Sequence, residues 1–408
     1  MSRDGIEGAI DRHRLAARLS GAVAALPEVA TPAYVVDLDA FDANAADLVR
    51  RAGGAPVRVA SKSLRVPDLL TRALATDGFR GVLAYSLREA LWLCEEGISD
   101  DVVMGYPSVD RGALERLCND DVAARAITLM VDDPAHLDLV DAARGNGGAL
   151  VRVALDVDAG LRVGPALVGP RRSPLRTTAD VVALAREVVD RPGFDLVGVM
   201  TYEGQVAGVP DDVPRRRARS AVVRRVKTAS VQQLPARRAE VAAALRDLVE
   251  LEFWNAGGSG SLESSAADPV VTEVTAGSGL LGPALFDHYR GFTPRPAAFF
   301  GVPVVRHPGP GCVTVAGGGL IASGPVGPDR CPTPWAPPGL RLTGLEGAGE
   351  VQTPLVGSPA DKLAIGDLVW FRHAKAGEVA EHVRRVLLVS GATVVDRVPT
   401  YRGTGNAW

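Results

Sequence analysis

The stretch VRVASKS, residues 57–63, ends a short β-rich run in a polar turn that carries a lysine. The same form recurs along the chain in GVLAY (81–85), DVVM (101–104), AITLMV (126–131), LVRVALD (150–156), DLVGVM (195–200), LEFWN (251–255) and VTEVT (271–275). Helical patterns rich in Ala, Leu, Arg and Glu lie between them, at 39–52, 86–97, 110–118, 133–144 and 178–190. The strands are mostly continuous in apolar character, as expected when both sheet faces are covered. Eight βα units over roughly 250 residues fit a TIM barrel; a doubly wound open sheet fits the alternation too. The polar residues favour the barrel. SKS (61–63), DVDAGLRVG (156–164), TYEGQ (201–205), NAGGSGS (255–261) and AGSG (276–279) each follow directly on a strand, and in a barrel such ends converge on one face.

Outside this region the texture changes. Residues 1–27 read as a polar amphipathic helix ending before Pro27. Beyond about 290, CVTVAGGG (312–319), LRLTGLEG (340–347), GDLVWFRH (366–373) and VRRVLLVSGATVVDRV (383–398) are β-rich and separated by Gly and Pro, which predicts an antiparallel β domain. The predicted organisation is an N-terminal helical segment (1–27), a TIM-barrel domain (28–290) and a C-terminal β domain (291–408).

The 408 residues are 47% hydrophobic and 23% charged, with 45 basic against 48 acidic side chains, which excludes disordered and fibrous classes. The net charge of −3 gives no global pull toward nucleic acid or an anionic membrane. Nine basic residues between Arg215 and Arg238 lack interleaved aromatic residues and read as a solvated helix face, so no nucleic-acid partner is expected. No run of eighteen apolar residues and no signal-peptide core occurs, and a cytoplasmic protein without membrane contact is expected. Cys94, Cys118, Cys312 and Cys331 form no CxxC pair and read as structural thiols.

Of the 45 basic residues 41 are Arg; the lysines are Lys62, Lys227, Lys362 and Lys375. Lysine, unlike arginine, can lose its proton and act as an amine nucleophile. Lys62 ends the first barrel strand, where desolvation lowers an amine's pKa and favours a Schiff base; an anion anchor or simple exposure is the other reading. The Gly/Ser loops after strands seven and eight, with Gly257, Gly258, Ser259 and Gly260 in one and Gly277 and Ser278 in the other, lie where barrels hold phosphate with backbone amides. A Schiff-base lysine and a phosphate cup together imply pyridoxal phosphate.

TPAYVVDLDAFDANAADLVRRA (31–52) with VRVASKS resembles the start of the fold-type III pyridoxal-phosphate enzymes, the alanine racemase-like group. Within it the D-threonine aldolase and D-serine dehydratase branch is the most similar. DVDAGLRVG, VGVMTYEGQ (197–205), the two Gly/Ser loops and GDLVWFRH follow in the family's order. The resemblance makes Lys62 the Schiff-base lysine, sets Arg162 beside the cofactor's phenolic oxygen, brings Tyr202 to cofactor or substrate, and gives the phosphate to 257–261 with 277–278. From the residues alone, Arg162 could instead pair with Asp156 or Asp158, and Tyr202 could be a buried barrel-end aromatic. The resemblance also implies a homodimer in which 366–378 of one subunit faces the partner's cofactor.

Family aldolases and dehydratases carry His-x-Cys or His-x-Asp in the β domain, binding a divalent metal. Here RHAKAGE places His373 but sets Lys375 where the second ligand is expected, and a protonated lysine repels a metal ion. Glu378 compensates if the loop register differs. Otherwise His373 is a general base and Lys375 a cationic anchor for hydroxyl or carboxylate; His373 could also be structural. AGGGLIASGP (316–325) departs as well, since the family often has Lys in this stretch. The reading is a lyase on a small β-hydroxy amino acid of D configuration, by retro-aldol cleavage or dehydration. The alternatives are a racemase, epimerase or decarboxylase, with Tyr401 as a racemase's second base, and a non-catalytic cofactor carrier.

Overall fold

A computed structural model describes residues 3–145, 147–214 and 216–408. Arg215 of the basic run lies outside them. Eight parallel strands close into a barrel: β1 (Val57–Ala60), β2 (Phe79–Ala84), β3 (Val102–Met104), β4 (Ile127–Val131), β5 (Val151–Asp156), β6 (Phe194–Thr201), β7 (Phe253–Ala256) and β8 (Glu273–Ala276). Every residue of β3, β4, β7 and β8 is buried, as the continuous apolar runs require. The seam that closes the barrel pairs Val274 with Val57 and Ala276 with Val59. An ion pair inside it explains two charges within apolar strands. Arg58 is buried, donates from Nε and Nη2 to the Glu273 carboxylate at 2.7 Å each, and reaches Asp101 at 2.8 Å.

The second body is a nine-stranded sheet built from residues beyond 297 plus one strand from the other end of the chain. Ala33–Asp37 lies antiparallel to Ala298–Gly309 and parallel to Arg385–Ser390, so the segment 28–290 contributes a strand to this sheet as well as the barrel. The helix Arg3–Ala24 covers the sheet's outer face: Leu19 and Val23 cluster with Val35, Trp370 and Leu387, and Trp370 Nε1 donates to Ser20 Oγ at 3.0 Å. The parallel barrel with a separate, mostly antiparallel sheet agrees with the architecture expected from the sequence.

The link between β6 and β7 is filled by a 29-residue helix, Arg217–Leu245. Arg217, Arg219 and Arg225 are exposed, as a solvated face requires, but other basic residues of the helix are engaged inside the molecule. Arg224 donates to the Asp211 carbonyl at 2.6 Å, Lys227 pairs with Asp211 at 3.3 Å, and Arg237 donates to the carbonyls of Gly160 and Asp158. All four cysteines are free thiols, and no described helix is long and apolar enough to cross a membrane.

Candidate active site

Lys62 stands in the one-turn 3₁₀ segment Ser61–Ser63 directly after β1. Its Nζ donates to the hydroxyl of Tyr106, just past the end of β3, at 2.6 Å. Arg172 places its guanidinium 5.7 Å from the centre of the Tyr106 ring and 5.5 Å from that of Tyr202. Burial alone would raise the Tyr106 phenol, but Lys62 and then Arg172 hold it below its ordinary value. Tyr202, at the end of β6, is pushed up to about 12 by burial. Asp156, at the end of β5, is raised to about 7, first by burial and then by the neighbouring Asp132. Asp156, Arg172 and Tyr202 line one cavity. The strand ends thus converge, as the positions of the polar turns imply.

Not every expected residue joins them. Arg162 lies on the hairpin formed by 161–163 and 166–168, its backbone bonded both ways to the Gln233 side chain. There it lines a different cavity, with Asp158, Arg176 and Arg237. The arginine that shares space with Lys62 and Tyr106 is Arg172, and neither Asp156 nor Asp158 forms an ion pair with Arg162 among the described residues.

The Gly/Ser loops meet the lysine turn. A Cβ on Gly277 would fall 2.6 Å from the Ala60 carbonyl oxygen and 2.9 Å from Ser63 Cβ, so only glycine lets the β8 turn lie against the Lys62 turn. Ser63 Oγ and Ser278 Oγ are 3.0 Å apart. Ser259 Oγ accepts from the amides of Gly277 and Gly279, which ties the two loops together. A Cβ on Gly258 would come within 3.4 Å of the Tyr202 ring, and one on Gly260 would strike the Ala207 carbonyl. The amides of Ser259, Gly260 and Ser278 have no acceptor among the described residues. Free amides beside hydroxyls are a donor set suited to a phosphate group, so the residues present fit pyridoxal phosphate.

Beneath the cup is a network that the motifs did not indicate. Glu203, fully buried, accepts from Ser261 Oγ at 2.7 Å, from the Gly257 amide at 3.3 Å and from Ser265 Oγ. Arg238 pairs with it at 3.0 Å and with Asp268 at 3.1 Å, and Arg238 Nε donates to Thr201 Oγ1. Arg238 belongs to the run read as a solvated helix face; here its side chain is 3% exposed.

The β domain reaches this mouth within one chain. The Ala284 and Leu285 amides donate to the carbonyls of His373 and Ala374, and Gly377, at φ +90°, packs on the Lys62 carbonyl so closely that no side chain would fit. Part of the segment 366–378 thus lies against the Lys62 turn of its own chain. His373 is buried, neither ring nitrogen has a hydrogen-bond partner, and burial, then Arg372, lowers it to about 3. Lys375 Nζ donates to Ser323 Oγ at 3.2 Å, and Ser323 donates from its amide and its hydroxyl to Glu378. Ser323 belongs to the stretch 316–325 that departs from the family pattern. Among the described residues no three His, Cys, Asp or Glu side chains are grouped to hold a metal, and an ammonium stands two residues from His373. The donor set does not fit a divalent cation.

Tyr401 is equally defined. Its hydroxyl donates to Glu89 Oε1 at 2.8 Å, and its ring packs edge-on against Trp92 and Trp408. Burial raises the Glu89 carboxyl from 4.5 to about 7, against the lowering effect of the Tyr85 amide and other donors. The folded chain therefore keeps a proton that the unfolded carboxyl has released between about pH 4.5 and 7, so this group's contribution to stability is lost as pH rises through that window. Glu89→Gln is expected to raise stability at pH 8 by up to roughly 3 kcal/mol and to change little at pH 4.5. Urea unfolding at the two pH values checks this, and equal effects at both would refute the buried-proton assignment.

Residues 36–284 match the model of the alanine racemase N-terminal domain. The chain belongs to the alanine racemase-like family. A D-threonine aldolase from Arthrobacter sp. is 31% identical over 263 residues, covering 62% of this chain and 61% of the aldolase. The chain thus matches less than two thirds of that relative's length. Two solved structures share the fold over nearly the whole chain. A D-threonine aldolase from Filomicrobium marinum has a TM-score of 0.75 at 24% identity, covering 92% of this chain and 95% of its own. A D-threo-3-hydroxyaspartate dehydratase from Delftia sp. has a TM-score of 0.70 at 20% identity, covering 91% and 97%.

Proposed function

We propose that this family member is a pyridoxal-phosphate lyase acting on a small β-hydroxy amino acid of D configuration. The observation that carries the reading is the meeting at one barrel mouth of Lys62 and a cup of free amides beside hydroxyls. The names of the similar aldolases and dehydratase support the substrate class.

Lys62 would hold the cofactor through its Nζ. The amides of Ser259, Gly260 and Ser278, with the Gly257, Gly258 and Gly277 backbone around them, would hold its phosphate, and Tyr202 with Arg162 or Arg172 its ring. When bound, the cofactor supplies an electron sink for the pair left on Cα. For cleavage, the β-hydroxyl proton would pass to a ring nitrogen of His373, the O–H pair would become the second bond of a carbonyl, the Cα–Cβ bond would break to release an aldehyde, and the pair left on Cα would take a proton from Lys62 Nζ to give glycine. For dehydration, Lys62 Nζ would take the α-proton, the hydroxyl would leave as water with a proton from the Lys375 ammonium, and hydrolysis by one water would give a keto acid and ammonia. Lys375, whose amine burial makes easier to deprotonate while Glu378 pulls it back, would anchor the hydroxyl or carboxylate. Racemisation is disfavoured because Tyr401 spends its proton on Glu89 inside an aromatic cage.

Cofactor-loaded protein incubated with D-threonine, assayed for glycine and ammonia in one sample, tests this. Glycine with acetaldehyde and no ammonia defines an aldolase; ammonia with 2-oxobutanoate and no glycine defines a dehydratase. A loaded protein that releases neither from any D-β-hydroxy amino acid overturns the reading. A homodimer remains part of the proposal, since family resemblance supports it; sedimentation of the holoprotein reads it.

A further inference from the structure

The loop after the strand Leu368–Arg372 and the stretch 316–325 meet at one cluster. His373 is buried and its imidazole has no protein partner on either nitrogen. An orphaned imidazole invites either a metal or a hydrogen-bonding substrate, and the neighbours decide between them. Two residues on, Lys375 extends its amine toward the same mouth, where Lys62 and Arg330 both act on it electrostatically. Arg330 is itself largely buried, its Nε without a partner. A dication entering here meets the positive charges of Lys375 and of Arg330, the latter paired with Asp329. Each such charge repels a dication, and one nitrogen donor does not offset that repulsion.

Glu378 is a carboxylate that could have changed this balance. It is committed elsewhere: both the amide and the hydroxyl of Ser323 donate to it, and that hydroxyl in turn accepts from Lys375. The chain Lys375, Ser323, Glu378 holds an ammonium in place by one serine and balances it by one carboxylate. The two segments that depart from the family pattern are therefore two halves of one device.

We infer that the Lys375 ammonium, tethered through Ser323 to Glu378, takes the place of a divalent cation beside His373, so that this enzyme binds the substrate's β-hydroxyl without metal. The inference rests on the lyase reading above and deepens it. The ammonium donates to the hydroxyl oxygen as its proton leaves for His373, and it stabilises the negative charge that develops there. Ser323 and Glu378 are positioning residues for that ammonium.

The test is a titration of the holoprotein with Mn²⁺, followed by calorimetry, beside D-threonine turnover before and after dialysis against EDTA. The wild type is expected to show no stoichiometric Mn²⁺ uptake and less than a twofold change in turnover. Lys375→Asp restores a carboxylate two residues from His373. It is expected to bind one Mn²⁺ per chain and, relative to wild type, to lose turnover at least a hundredfold without metal, with partial recovery when Mn²⁺ is added. Lys375→Met is expected to lose turnover with no Mn²⁺ uptake and no recovery. Stoichiometric Mn²⁺ binding by the wild type, or a tenfold loss in EDTA restored by Mn²⁺, overturns the inference. The wild-type titration needs neither a variant nor turnover. A protein inactive on every D-β-hydroxy amino acid would sink the lyase reading, while Mn²⁺ uptake would still decide the cation's identity.

Discussion

Lys62→Ala is expected to remove the visible absorption of the lysine-bound cofactor and to lower turnover by about a thousandfold or more, the scale of losing a covalent catalyst. The size follows from position. Lys62 is the one lysine at a strand end of the barrel, its Nζ 2.6 Å from the Tyr106 hydroxyl. None of the other lysines ends a barrel strand: Lys227 is paired with Asp211, Lys362 lies in the 3₁₀ turn Ser358–Lys362, and Lys375, reaching the mouth from the β domain, is tethered to Ser323. The cup formed by 257–261 and 277–279 does not depend on the Lys62 side chain. The variant should therefore still take up cofactor weakly, with an unlinked spectrum, and a small added amine should restore part of the turnover. An unchanged visible band that borohydride still reduces would contradict the assignment.

Arg238→Leu is expected to be the most destabilising single change in the site, costing about 3–5 kcal/mol. Arg238 sits between Glu203 and Asp268, both side chains 1% exposed. Its removal leaves two buried carboxylates without a counter-ion, takes one of two donors from Thr201 Oγ1, which keeps Trp254 Nε1, and takes the Arg238 donor from the Thr201 carbonyl. The loss should reach the cofactor. Glu203 positions the Gly257 amide and the Ser261 hydroxyl, so a displaced Glu203 slackens the cup, and phosphate affinity should fall with stability. Arg238→Lys keeps the charge but cannot bridge both acids with a fork, and an intermediate loss is expected. Urea midpoints and cofactor dissociation constants for the two variants check this. A surface-like effect under 1 kcal/mol for Arg238→Leu would show that the network is not closed as described.

The parts of this molecule that were legible in the sequence are those set by local pattern. Each barrel strand is a largely apolar run ending in a polar turn, and that placement locates Lys62 and both Gly/Ser loops. What was not legible depends on where distant segments pack. AYVVD at 33–37 has the same apolar character as a barrel strand, and only its pairing with Ala298–Gly309, over 260 residues away, assigns it to the other sheet. Spacing cannot tell whether Arg162 or Arg172 faces the lysine, because the hairpin between them sets which side chain turns inward. Arg238 reads as one more charge in a basic helix until Glu203 and Asp268 are seen behind it. Tyr106 did leave a signal, since it follows β3 as Lys62 follows β1; a search of every strand end for polar side chains would have found it.

The most direct measurement is borohydride reduction of the cofactor-loaded protein, followed by proteolysis and mass spectrometry of every lysine-containing peptide. The expected result is a single pyridoxyl label, on Lys62. A label on Lys227, Lys362 or Lys375, or none on any lysine of a protein that carries the cofactor's visible band, would contradict it.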